Sequence, residues 1–220
     1  MATPWLSIVI PTIGRAELRH TLDSIDAQAN NGAVQVLLVG DSHGGLTSEL
    51  IWAREEVYRR GSRYRWLEKD GDSHCWGQQQ RQYGMEQAEG QWIAFSADDN
   101  ILTPGAIASI WQAIIGLPQP VPIIFKVRTW QAGVVWRAQS IDNGNIDADC
   151  FVVPNQQDKL GRWTNQYNGD YVFMLFTAKL WEGKVEWRDD LIALARPQQS
   201  EHWWTMKEPP RFNAPRYASV

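Results

Sequence analysis

The chain has 220 residues, 44% of them hydrophobic, which is enough for one substantial core and implies a single domain, 1–220, built of two halves. Its 21 basic and 25 acidic residues give a formal charge of −4, so a general polyanion-binding surface is excluded and nucleic acid is not the expected partner. Cys75 and Cys150 lack metal-ligand spacing and no signal peptide is evident, so free thiols in the cytoplasm are expected. The most apolar stretch, 106–125, carries Gln112, Pro118, Pro120 and Pro122 and makes a poor membrane span, which leaves only surface attachment open.

In chain order, the apolar run at 6–11 ends in Pro11-Thr12 and reads as a buried strand. Leu18, Leu22, Ile25 and Ala29 then recur at helical spacing, and the helix is expected to stop near 30–32. A second strand at 36–39 runs into Asp41 and a glycine-rich turn, and Leu46, Leu50, Ala53 and Val57 supply the next helical stripe. A third strand at 64–67, a polar loop at 68–76 and a helix over 77–89 follow. The fourth strand, 92–95, delivers two adjacent carboxylates, Asp98 and Asp99.

Strands alternating with helices at this spacing predict an α/β fold with a Rossmann-like, mostly parallel central sheet, whose ligands collect beyond the carboxyl ends of the strands. Beyond Pro104 the alternation loosens: a helix over 105–115, strands near 123–127, 134–138 and 150–153, a helix over 169–181, a strand at 184–187 and an irregular tail. This predicts a mixed second half. Strand ends presenting Pro-Thr, a lone Asp and an Asp-Asp pair make a pocket able to hold a nucleotide beside Mn²⁺ or Mg²⁺, which prefer carboxylate and phosphate oxygens.

At these residues the chain resembles the family 2 glycosyltransferases of the GT-A fold. The matching pieces are "LSIVIPTIGR", "VLLVGDS", "GQQQRQYGMEQAEGQWIAFSADDNILTP" and "NGDYVFML", in that order. The resemblance implies a nucleotide-sugar-binding half at 1–104 and an acceptor-binding half with a C-terminal tail at 105–220. The implied reaction is metal-dependent, inverting transfer of a sugar of hexosyl type from a donor, UDP-linked by expectation, to a hydroxyl of a carbohydrate or glycoconjugate acceptor. It puts Pro11 and Thr12 beside the nucleobase, Arg15 near the base or phosphates, Asp41 at the base, Arg81 among the donor contacts, Asp98 at the ribose and Asp99 on the metal. Asp170 becomes the catalytic base and His202 a second metal ligand. Ala97, Gly40, Gln82 and Gly169 depart from residues common in the family, Gly169 standing where a Glu usually precedes the Asp.

Each residue also has a plainer role. Asp98 and Asp99 can cap the helix after Pro104, Asp41 can form a turn, Arg15 can be an exposed helix-start residue, Asp170 can be an N-cap, and His202 a solvated tail residue. Among the 13 tryptophans most are expected in packing, with Trp130, Trp136, Trp163, Trp203 and Trp204 as stacking candidates for an acceptor. A nucleotidylyltransferase and a catalytically silent sugar- or nucleotide-binding module are the competing readings. The first normally carries a glycine-rich basic loop after its first strand, where "PTIGRAEL" has one glycine and one arginine.

Overall fold

A computed structural model describes residues 3–29, 33–71, 76–129 and 133–197. The first half alternates as expected: β1 (Leu6–Thr12), α1 (Leu18–Asp26), β2 (Val34–Asp41), α2 (Ser48–Arg59), β3 (Tyr64–Lys69), α3 (Gln78–Glu86) and β4 (Trp92–Phe95). All seven residues of β1 and all of β2 but Asp41 are buried, as strands covered on both faces by helices must be. In α1, Leu18, Leu22 and Ile25 turn one stripe into the core. Leu46 lies outside α2 and is exposed, because Thr47 is the N-cap: its hydroxyl accepts the Leu50 N–H and fixes the helix start at Ser48.

The second half contains β5 (Asn100–Leu102), α4 (Ala106–Ile115), β6 (Ile123–Thr129), β7 (Gly133–Val135), β8 (Phe151–Pro154), α5 (Gly169–Leu180) and β9 (Glu186–Ala195). Two expectations are corrected. The three residues after the acid pair form a strand, β5. The strand expected at 184–187 runs instead from Glu186 to Ala195, so the region taken as irregular tail holds ordered sheet up to that residue. Arg188, Asp189 and Asp190 hide it in the sequence, since they interrupt an apolar pattern that resumes at Leu191–Ala195.

Among the described residues nine strands form one sheet in the order β3-β2-β1-β4-β8-β6-β9-β5, with β7 paired on β6. The block β3-β2-β1-β4 is parallel, β8 is antiparallel to β4 and β6, β9 is parallel to β6, and β5 is antiparallel to β9. The fold is therefore α/β with a mixed second half, as the sequence predicts. After β1 the chain winds outward through β2 and β3, then returns to the other side of β1 as β4. That reversal opens a crevice at the carboxyl ends of β1 and β4, where ligands of such sheets bind. Among the described residues no helix is long and apolar enough to cross a membrane. Cys150 is a buried free thiol, while Cys75 lies outside the described residues.

Candidate active site

At the crevice, the end of β1 and the turn after β4 are tied together. The Thr12 hydroxyl donates to Asp98 Oδ2 at 2.8 Å, the Ile13 N–H donates to the same oxygen at 3.2 Å, and Arg15 Nη1 donates to Asp98 Oδ1 at 2.7 Å. Asp98 is 2% exposed and both its oxygens are engaged. Helix α4 starts at Ala106 behind Gly105 and has no side-chain cap, so Asp98 and Asp99 do not cap it.

Asp99, 5% exposed, is held differently. Its Oδ2 faces two guanidinium groups, Arg15 Nη1 at 3.3 Å and Arg196 Nε at 3.2 Å, whereas its Oδ1 is buried without a partner. Burial pushes the Asp99 pKa up, the Arg15 charge pulls it down, and neighbouring Asp98 raises it again. An unpartnered, inward carboxylate oxygen is the donor type that a divalent cation takes. No group of three or more potential metal ligands occurs among the described residues, and His202 lies outside them.

A cleft of about 290 Å³ brings Asp99 together with Arg81, Asp147, Asp149 and Asp170. Arg81 comes from α3, donates to the Trp76 carbonyl at 2.9 Å and lies over the Trp163 ring at 5.5 Å; that ring stacks on Phe173 at 4.4 Å. Asp170 lies in the first turn of α5, whose N-cap is Asn168, so it is not the N-cap residue. Its Oδ1 accepts the Tyr171 N–H at 2.7 Å. Burial, then the charge of Asp147, raise its pKa to about 6, against the opposing pull of the Tyr171 N–H and Arg81. A carboxylate in that range is ionised at neutral pH and still basic enough to take a proton.

Three further placements differ from what the residue types alone suggest. Asp41, at the end of β2, accepts the His43 N–H at 3.1 Å in an Asx turn and is not among the residues lining this cleft. Pro11 is buried in β1. Trp136 and Trp163 are buried packing residues, Trp136 meeting Trp187 edge-on at 5.1 Å, and Trp130, Trp203 and Trp204 lie outside the described residues. The exposed aromatics at the cleft are instead Trp76 and Tyr167, 56% and 79% exposed, whose rings meet edge-on at 5.7 Å.

Sequence reasoning also missed Asp149, Asn100 and Arg196. The Asn100 amide donates to Asp149 Oδ2 at 2.7 Å, and its own carbonyl oxygen accepts the Arg196 N–H at 2.9 Å. Arg196, just past β9, is thereby brought to Asp99 from 97 positions away in the chain. The only local signal was the pair of acids in "IDADC", immediately before a buried apolar run.

The model of a family described as glycosyl transferase family 2 matches residues 7–125. Among solved structures, TarS of S. aureus superposes with a TM-score of 0.64 at 16% identity, covering 86% of this chain and 36% of that one. Its fragment 1–349 in complex with UDP gives 0.65 at 16%, covering 86% and 60%, and the same fragment with UDP-GlcNAc gives 0.66 at 15%, covering 91% and 60%. The chain thus spans between about a third and three fifths of these neighbours, and at such identity the likeness establishes the fold. A sequence search of curated proteins finds no match.

Proposed function

The chain belongs to glycosyl transferase family 2, and from that membership we propose that it transfers a sugar from a nucleotide-sugar, UDP-linked, to an acceptor hydroxyl with inversion at the anomeric carbon. The observation that carries this reading is the sharing of one cleft by Asp99, with its unpartnered buried oxygen, and Asp170, with a pKa of about 6. One carboxylate is suited to a cation and the other to a proton.

In this reading Asp99, with its unpartnered oxygen, and His202 would hold Mn²⁺ or Mg²⁺, which when bound would supply positive charge to offset that of a nucleotide diphosphate leaving group. Arg15 and Arg196 grip Asp99 Oδ2 and keep its other oxygen turned inward, and their half-exposed guanidinium groups suit the diphosphate itself. Pro11, Thr12 and Asp41 are assigned to the nucleoside side and Asp98 to the ribose, all four outside the lining of the cleft, and Arg81, which lines it, offers a cation to the donor. Asp170 takes the proton of the acceptor hydroxyl as that oxygen attacks the anomeric carbon from the face opposite the nucleotide. No covalent intermediate is required. The Trp76–Tyr167 rim, flanked by Asn143 and Asn168, suits an acceptor sugar, since flat rings cover its apolar face while amides meet its hydroxyls.

Calorimetric titration with UDP, with and without Mn²⁺, tests the donor side. Wild-type protein should bind UDP in a Mn²⁺-dependent manner, and Asp99→Ala should lose that dependence while remaining folded. Equal Mn²⁺-dependent affinity in the folded variant contradicts the assignment of Asp99.

A further inference from the structure

Asp149 has no part in the mechanism above, yet it is the most enclosed acid of the cleft. It sits at the middle of a short 3₁₀ turn, Ala148–Cys150, at the entrance to β8, is 3% exposed, and lines the same cavity as Asp99 and Asp170. One side of its carboxyl group is fully used, because Oδ2 accepts the Asn100 amide at 2.7 Å and the Ser96 hydroxyl at 3.3 Å. These two donors fix the group's plane. The other oxygen, Oδ1, is buried without any partner. A buried polar atom in that state carries a desolvation penalty that only a partner relieves, and Asp149 is among the residues that line the cleft.

Its position says what that partner is. Through Asn100 the carboxyl group is joined to the turn that carries Asp99, on the donor side. Through its backbone N–H, which donates to Asp147 Oδ1 at 3.0 Å, it is joined to the acid whose charge raises Asp170, on the acceptor side. A group adjoining both lies where the sugar is when it passes from diphosphate to acceptor. We infer that Asp149 Oδ1 is the binding point for one ring hydroxyl of the transferred sugar, and so selects the donor by its hydroxyl pattern. The inference rests on the nucleotide-sugar reading above. A hydroxyl both donates and accepts, so it pairs with this oxygen whether Asp149 is ionised or neutral. Sites built to hydrogen-bond a substrate hydroxyl reject analogues lacking it far more strongly than apolar pockets reject an extra methylene.

The test compares wild type, Asp149→Ala and Asp149→Asn by calorimetry with Mn²⁺, using UDP, a panel of UDP-hexoses and UDP-N-acetylhexosamines, and single-deoxy analogues of the best binder. The expected result is UDP affinity within threefold in all three proteins, with sugar selectivity flattened about tenfold or more in Asp149→Ala and largely restored in Asp149→Asn. One deoxy analogue should bind the wild type at least tenfold more weakly than its parent, yet bind Asp149→Ala as well as the parent does. Unchanged selectivity in Asp149→Ala overturns the inference and leaves the donor reading standing, whereas a wild type that binds UDP but gains nothing from any sugar overturns both. Should Asp149→Ala fail to fold, the wild type alone decides: the inference fails if no single-deoxy analogue binds at least tenfold more weakly than its parent.

Discussion

Asp170 is the residue on which mechanism and stability meet. Its folded pKa of about 6 lies above the roughly 3.9 of an exposed Asp, because burial and the nearby Asp147 disfavour its charge. As the proposed general base it would act only when ionised, so kcat/KM should fall tenfold per pH unit below about 6 and level off above it. Asp170→Asn should keep donor binding and lose about 100- to 10,000-fold in transfer rate. The stability effect has the opposite sense. A raised carboxyl pKa means that the fold favours the protonated form, a stabilisation complete below about pH 4 and lost as pH rises through about 6. The neutral Asn should therefore melt above wild type at pH 8 and level with it near pH 4. A flat rate profile from pH 5 to 8, with wild-type transfer by the Asn variant, would assign Asp170 to the helix end alone.

At the scale of elements, two departures from the family's residues have steric causes. A side chain at Gly169 would place its Cβ 2.6 Å from the Thr164 carbonyl oxygen and 2.7 Å from the Gln78 amide nitrogen, so the start of α5 has no room for the family's Glu. At Gly40 a Cβ would fall 2.5 Å from the Trp66 ring, which leaves no room for a larger residue there. Gly169→Ala tests the first point cleanly, since alanine is the better helix former by up to about 1 kcal/mol and any loss isolates the clash. Overpacking of this kind costs about 1–3 kcal/mol, and each kcal/mol lowers Tm by roughly 2–4 °C in a chain of this size. A Tm equal to or above wild type contradicts the steric account. The elements legible in the sequence were those whose pattern is local: β1, β2 and β4 are continuous apolar runs, and α1 keeps its stripe. Strand β5 is only three residues long, and β9 is charged at its centre, so both are defined by their sheet partners rather than by their own composition.

For the molecule as a whole, the carboxyl ends of the strands predicted the crevice, and Asp98, Asp99 and Asp170 could be singled out because each follows or opens an apolar element, whereas Arg81, inside α3, was implied by the family resemblance alone. Asp149, Asn100 and Arg196 were not, because their importance comes from meeting across the sheet: β9 runs beside β6, and Arg196, just past its end, reaches Asp99. Of the three, Arg196 alone stands out in its backbone, with a φ of +48°. The central claim is that this cleft joins a nucleotide-sugar at Asp99 to a base at Asp170, and turnover tests it most directly. Release of UDP should be measured from a panel of UDP-sugars in Mn²⁺ for the full chain and for Asp99→Ala. The account predicts release of UDP from at least one UDP-sugar by the wild type, abolished by EDTA and by the substitution. Release by Asp99→Ala at the wild-type rate, or none from any sugar by the wild type, would contradict it.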